Sequence, residues 1–372
     1  MKQLKILFLF GTRPEAIKMA PIVNECKKQK KQFEIKVCVT GQHREMLQQV
    51  LDFFEIEADF DLALMQHNQT LFDITANALK GIEKILSNYT PDIILVQGDT
   101  TTAMTGALAG YYKKIKVGHV EAGLRSGNMY SPFPEEINRK MISTVSTYHF
   151  APTEMAKQNL IKENYHDNIF ITGNTVIDAL LWGVEQVRKS TEISQQFSFL
   201  DNNKKLILVT AHRRESFGKP FENICKALLH LATSNPEHEI IYPVHLNPNV
   251  QEIVYQTLSN QSNIHLVKPV DYPQLIWLMD KSYLVLTDSG GVQEEAPTLG
   301  KPVLVMREVT ERQEGIDAGT ALLVGTDTQT IIKETQKLID DPVAYQKMAQ
   351  AVNPYGDGTS AHQILSILLN QN

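Results

Sequence analysis

Residues 5–18 read Lys5-Ile6-Leu7-Phe8-Leu9-Phe10-Gly11-Thr12-Arg13-Pro14-Glu15-Ala16-Ile17-Lys18, and this stretch decides the fold. The apolar run Ile6 to Phe10 does not alternate between core and solvent, so the strand it forms is covered on both faces. Such a strand belongs to a parallel sheet with helices on either side. A helix follows at once: Thr12 and Glu15 have the spacing of a capping box, and Pro14 suits a first helical turn.

The same alternation continues along the chain. Strands are predicted at Lys5–Phe10, Ile35–Val39, Ile93–Val96, Lys116–Val120, His149–Ala151 and Ile169–Ile171. A second set is predicted at Leu206–Thr210, Glu239–Val244, Ile264–Leu266, Tyr283–Thr287, Pro302–Val305 and Ala321–Leu323. Each set fills one doubly wound α/β sheet. The domains are predicted as residues 1–172 and 173–359, with the hinge near Gly173. A helix near Val176–Arg188 and the polar stretches Lys189–Ser198 and Asp201–Lys205 form the join. The apolar-faced helix within 360–372 is expected to pack back on the first domain.

Composition narrows the function. A length of 372 residues favours two domains, and 42% hydrophobic against 21% charged residues supports a globular core. A net charge of −6 lacks the basic face that nucleic acid requires, so cations for any phosphate must be placed locally. Cys26, Cys38 and Cys225 are far apart and form no CxxC, which predicts buried, reduced thiols in a cytoplasmic protein. No apolar stretch approaches the roughly 18 residues that span a bilayer, so no membrane association is expected.

Ligands of such sheets sit beyond the carboxyl ends of the strands, and the informative residues fall there. Arg13 and Lys18 bring positive charge to the first strand exit, where the helix N-terminus offers N–H groups to an anion. In Gln97-Gly98-Asp99-Thr100-Thr101-Thr102, Asp99 is either a helix cap or a cleft acid. In His119-Val120-Glu121-Ala122-Gly123-Leu124-Arg125, Glu121 is either a partner of Arg125 or a cleft base. Glu135 and Glu136 fall in a first helical turn opened by Pro134, which the helix dipole alone would explain. His212 and Arg213 follow the strand ending at Thr210. Asp288-Ser289-Gly290-Gly291 follows the strand ending at Thr287; Ser289, Gly290 and Gly291 permit close approach to a phosphate. Glu295 lies about one turn deeper, placed to accept hydrogen bonds from a ribose. Arg307 and Arg312 flank a further strand exit as anion clamps. GxGxxG, GxxxxGK[ST] and HExxH are absent, and His43, His119, His149, His212 and His245 show no metal spacing.

Taken in order, Gly11–Pro21, Thr40–Met46, Gly98–Thr102, Gly118–Arg125, Ser131–Arg139, His212–Gly218, Thr287–Pro297 and Thr310–Glu314 resemble the non-hydrolysing UDP-N-acetylglucosamine 2-epimerases of bacteria, over almost the whole chain. The resemblance implies two Rossmann-like domains facing a cleft, the GT-B architecture of many nucleotide-sugar glycosyltransferases. It implies interconversion of UDP-GlcNAc and UDP-ManNAc for cell-envelope polysaccharides, without metal or nicotinamide cofactor, in a homodimer. Asp99, Glu121, Glu135 and His212 match the family's catalytic positions. Arg13, Lys18, Ser289, Gly290, Glu295 and Arg312 match its UDP-binding positions, and Gly291 and His245 line the same cleft. Gln42, Gln69, Glu135, Arg213 and His245 match the region that binds a second UDP-GlcNAc as activator. Asn68 departs there from the family's usual basic residue.

The chemistry fits those residue types. The C2 proton beside an amide nitrogen resists direct abstraction, whereas loss of UDP from C1 with that proton gives 2-acetamidoglucal, to which UDP adds back. That route needs acid–base groups on both faces of one carbon and cations for the departing diphosphate. A hydrolysing epimerase that releases ManNAc and UDP would share most of these motifs; a glycosyltransferase of the same fold, from a different enzyme class, would need an acceptor. A catalytically silent sugar-nucleotide sensor would need the Arg13 and Ser289 loops but not Asp99, Glu121 and His212 together.

Overall fold

The computed structural model describes residues 3–41, 44–64 and 69–371. The chain divides into two compact units, Met1–Ala179 with Tyr355–Asn372, and Leu180–Pro354.

The first unit is a seven-stranded parallel sheet of order β3-β2-β1-β4-β5-β6-β7. Its strands are β1 (Leu4–Phe10), β2 (Phe33–Val39), β3 (Phe60–Asp61), β4 (Ile93–Gln97), β5 (Lys116–Val120), β6 (Tyr148–Ala151) and β7 (Ile169–Ile171). The helices are α1 (Arg13–Lys28), α2 (Arg44–Phe53), α3 (Leu71–Asn88), α4 (Thr101–Tyr112), α5 (Glu135–Val145), α6 (Glu154–Lys162) and the start of α7 (Thr175–Lys189). Ile6 to Phe10 are wholly buried, as a strand covered on both faces must be.

The second unit is a six-stranded parallel sheet of order β10-β9-β8-β11-β12-β13. Its strands are β8 (Lys205–Thr210), β9 (His238–Pro243), β10 (Ile264–Val267), β11 (Ser282–Thr287), β12 (Val303–Val305) and β13 (Ala321–Leu323). Helices α8 (Thr191–Gln196), α9 (Lys219–Ser234), α10 (Pro248–Leu258), α11 (Tyr272–Lys281), α12 (Gly290–Glu295), α13 (Gln313–Asp317), α14 (Thr328–Asp340) and α15 (Pro342–Ala349) surround it. The last helix, α16 (Ser360–Asn370), packs on α1 of the first unit.

Three features depart from the sequence reading. β3 was not expected; it is two residues long and, among the described residues, pairs with Cys38 and Val39, too short for a periodic pattern. The polar stretch after α7 contains α8, which buries no side chain and is started by Ser190 accepting from the Ile193 N–H at 3.3 Å. The unit boundaries fall at 179/180 and 354/355 rather than 172/173 and 359/360. Local hydrogen bonding accounts for the shift: the Asn174 N–H donates to the Tyr355 carbonyl at 2.7 Å, and the Ala361 N–H donates to Asp178 at 2.8 Å. The three cysteines are unpaired and buried. Among the described residues no helix is long and apolar enough to cross a membrane.

Strand order reverses at β1/β4 in one sheet and at β8/β11 in the other. In parallel sheets the crevice beyond such a reversal receives the ligand.

Candidate active site

At the exit of β1 the chain passes so close to its neighbours that a Cβ on Gly11 would lie 2.0 Å from Thr40 Oγ1. Only glycine fits. Glu15, one turn into α1, is buried and accepts from the Gly11 N–H (3.1 Å), the Thr12 N–H (2.8 Å) and hydroxyl (2.7 Å), and the Thr100 hydroxyl (2.6 Å). Burial raises its pKa against the pull of those donors. One carboxylate thus ties the β1–α1 loop to the β4–α4 loop. Glu15 takes the N–H groups of Gly11 and Thr12, the two residues that precede the helix. The capping-box spacing signalled the contact but not its reach to Thr100. Arg13 opens α1 and is half-buried.

Thr100, not Asp99, caps α4: its hydroxyl accepts from the Ala103 N–H at 3.0 Å. Asp99 Oδ2 instead receives two guanidinium bonds from Arg139, at 2.9 Å from Nε and 2.7 Å from an Nη. Asn138 donates to the Asp99 carbonyl at 2.8 Å. Gly98 before it is left-handed, with φ +70°, and its carbonyl receives His119 Nε2 at 2.7 Å. His119 is wholly buried, which lowers its pKa to about 3 and keeps the ring neutral.

Glu121 leaves β5 in the left-handed region, φ +67°, a conformation uncommon for a residue with this side chain. Such strain persists where surrounding contacts hold it and concentrates at functional sites. The carboxylate is held by the Lys18 ammonium, the Gln97 amide and, at 2.9 Å, the Asn174 amide. Its ionic partner is therefore Lys18. Arg125 pairs with Glu163 instead, at 3.0 Å from Nε and 2.7 Å from Nη2. Lys18, expected as a mobile phosphate ligand, is engaged with Glu121. Gln97 was quoted in the sequence without a role and Asn174 was not singled out, since neutral amides carry no charge pattern.

Glu135 and Glu136 open α5 and differ in surroundings. Glu136 is buried and accepts from the Ser126 N–H (2.9 Å), the Gly127 N–H (3.2 Å) and Arg139 (3.1 Å). Burial opposes its ionisation, but those donors prevail and lower its pKa. Glu135 is half-buried, with Oε2 lacking a hydrogen-bond partner among the described residues.

In the second unit, the exits of β8 and β11 meet. Asp288 is buried after β11, and its Oδ2 accepts from the N–H groups of His212 (2.6 Å) and Arg213 (2.7 Å). The His212 Nδ1 stands 3.6 Å from Asp288 Oδ1. Partial burial pushes the imidazole pKa down while Asp288 pulls it up, and the net direction is down. The ring stacks on His245, centroids 5.3 Å apart and planes 8° from parallel. His245 Nδ1 accepts from the Asn247 N–H at 3.0 Å, leaving Nε2 as the other ring nitrogen. Asp288 was quoted in the sequence but given no role; a carboxylate at the end of a buried strand was its signal.

Ser289 caps α12, and Gly290 and Gly291 form its first turn. The Arg312 guanidinium carbon lies 3.5 Å from where a Cβ would stand on Gly290, and its Nε donates to Glu294 at 2.7 Å. Glu295 is buried and accepts from the Tyr272 hydroxyl at 2.6 Å. Arg307, expected as an anion clamp, is buried and bonded to Glu215 (2.6 Å) and Glu311 (2.9 Å). Against burial, Arg307 carries the Glu311 pKa down to about 2. Its charge is thus matched within the protein. Of the activator positions, Gln69 is partly buried ahead of α3, Arg213 donates to the Asp288 carbonyl at 3.1 Å, and Gln42 lies outside the described residues.

A sequence profile of the UDP-N-acetylglucosamine 2-epimerase family matches residues 24–369. The UDP-N-acetylglucosamine 2-epimerase of Salmonella typhimurium is 55% identical over 370 residues, 98% of each chain. The crystal structure of UDP-GlcNAc 2-epimerase from Neisseria meningitidis bound to UDP-GlcNAc matches with a TM-score of 0.90 at 50% identity, covering 99% of this chain and 100% of that one. A glycosyltransferase from Rickettsia africae, at 16% identity and a TM-score of 0.64 over 100% of both chains, shares the fold alone.

Proposed function

The chain belongs to the UDP-N-acetylglucosamine 2-epimerase family, and we propose that it interconverts UDP-GlcNAc and UDP-ManNAc without hydrolysis. The observation that carries this reading is the strained Glu121, held by Lys18, Gln97 and Asn174 beside the exit that presents Asp99.

The reaction is an elimination followed by an addition. A base takes the C2 proton, the C–H electron pair becomes the C1–C2 double bond, and UDP departs with the C1–O pair. UDP then adds to C1 of the 2-acetamidoglucal as an acid returns a proton to the opposite face of C2. Asp99, Glu121 and Glu135 in the first unit, and His212 in the second, are the acid–base groups of this proposal, each contributing about 10²–10⁴-fold. The Asp288 carboxylate orients the His212 loop through two backbone N–H groups. Arg13, Lys18, His245 and Arg312, the Ser289–Gly291 turn and Glu295 are assigned to UDP, with Lys18 also paired to Glu121. His245 supports His212 by stacking. The neutral His119 and His149 take no part, because burial lowers their pKa values to about 3 and about 4.

The same reading includes action as a cytoplasmic homodimer supplying envelope polysaccharide, and activation by a second UDP-GlcNAc; substitutions of Gln69 and Arg213 test the activation. The reaction itself is tested by incubating the protein with UDP-GlcNAc in deuterium oxide and following it by NMR. UDP-ManNAc deuterated at C2 is the expected product. Free ManNAc with UDP would instead establish hydrolysis, and unchanged UDP-GlcNAc would overturn the reading.

A further inference from the structure

The start of α5 holds Asp99 from two sides. Asn138, buried, donates to the Asp99 main-chain carbonyl at 2.8 Å. One residue on, Arg139 places Nε and an Nη on the same carboxylate oxygen, Oδ2, at 2.9 and 2.7 Å. The other oxygen, Oδ1, receives no hydrogen bond from a described residue. A two-pronged contact to one oxygen fixes the rotation of the carboxylate and singles out its partner oxygen for other use.

Arg139 is itself locked. Its third nitrogen donates to Glu136 at 3.1 Å, and Glu136 is 1% exposed with two backbone N–H groups on its carboxylate. The guanidinium is planar and rigid, so a hold at each end leaves it little freedom. The chain Glu136–Arg139–Asp99 therefore runs from a buried anchor to a half-buried, ligand-facing strand exit. A plain helix-surface ion pair would need no buried anchor and no second contact from Asn138 to the same residue.

We propose that Arg139, anchored by Glu136, is a positioning residue that aims Asp99 Oδ1 at the reacting carbon of the sugar. The inference rests on the epimerase reading and adds to it two residues that do not touch substrate. Misplacing a reacting group by about 1 Å costs about 10²-fold, which sets the size of the effect.

The test compares Arg139→Gln, Arg139→Lys, Glu136→Gln and the Gln/Gln double variant of the full chain. The assay is epimerisation of UDP-GlcNAc, with UDP affinity measured separately. Arg139→Gln is expected to lower kcat about 10²-fold with KM and UDP affinity within about threefold of the parent. Millimolar guanidinium ion restores at least about tenfold of that loss by refilling the vacated place beside Asp99, and Arg139→Lys retains part of the activity because an ammonium makes one contact. Guanidinium does nothing for Asp99→Asn. Glu136→Gln lowers kcat about tenfold, and the double variant falls no further than Arg139→Gln alone, since both act through one chain. A kcat for Arg139→Gln within about threefold of the parent would overturn the inference. So would a loss that guanidinium does not rescue, or losses that multiply in the double variant. An inactive parent overturns the functional reading as well, whereas an active parent with an equally active Arg139→Gln overturns this inference alone.

Discussion

His119 offers a prediction whose sign changes with pH. Its ring is wholly buried, donates from Nε2 to the Gly98 carbonyl at 2.7 Å, and has its pKa lowered from 6.5 to about 3, chiefly by burial. Replacing it by phenylalanine keeps the apolar volume and removes the donor. At neutral pH the Gly98 carbonyl loses its partner, which costs about 1–3 kcal/mol; the lower end applies because Gly98 is only partly buried. Protonation acts in the other direction. A depressed folded pKa means that the group's contribution is fully present above 6.5 and is lost as pH falls toward 3. Between about pH 7.5 and about pH 5 the unfolded imidazole gains nearly a whole proton and the folded one almost none, which costs the parent about 1.5 × 1.36, or about 2 kcal/mol. The phenylalanine variant escapes that loss. It should therefore be less stable than the parent by about 1 kcal/mol at about pH 7.5 and more stable by about 1 kcal/mol at about pH 5. Both tryptophans, Trp182 and Trp277, lie in the second unit, so their fluorescence is the wrong probe. Native-state hydrogen exchange of the β4 and β5 amides under urea reads the unit that contains His119. A stability gap of the same sign and size at both pH values would refute the reasoning.

Three further outcomes are expected. Asp99→Asn and His212→Ala each lower turnover by at least about 10²-fold with little change in the denaturation midpoint, and near-normal turnover in either removes that residue from the mechanism. Gly11→Ala destabilises the first unit by about 1–3 kcal/mol or more in the same exchange experiment, because its Cβ would stand 2.0 Å from Thr40 Oγ1. Tyr272→Phe removes the hydroxyl on Glu295 and weakens UDP binding by about 1 kcal/mol, roughly fivefold, in a calorimetric titration.

Much of the architecture was legible because each buried strand announces itself as an apolar run followed by turn chemistry. Ile6–Phe10 with Thr12 and Glu15 is the clearest case: strand, cap and helix all lie where the pattern puts them. β3 and α8 were not legible, since one makes a single short pairing and the other buries nothing. The strand exits also named most of the charged groups, but not their partners. Sequence spacing offered Glu121 either Arg125, four residues away, as a partner or a role as a cleft base, whereas the fold brings it Lys18 from α1. Asn174 and Tyr272 reach Glu121 and Glu295 over separations that no local pattern records. Pairing across a parallel sheet is set by strand order, and strand order is a property of the whole fold.

The first unit is assembled from both ends of the polypeptide. Its closing helix, α16, brings Ile364, Leu365 and Leu368 to the core and packs on α1, and its lead-in supplies the carbonyl that Asn174 binds. On a ribosome, the whole of 180–354 must emerge before that helix exists. Throughout that interval the nascent chain carries an unroofed α1 and a Glu121 support still missing its last tether. Chaperone capture and misassembly should concentrate there. A stop codon falling just ahead of Ser360 would then disable a unit whose remaining residues had been made long before.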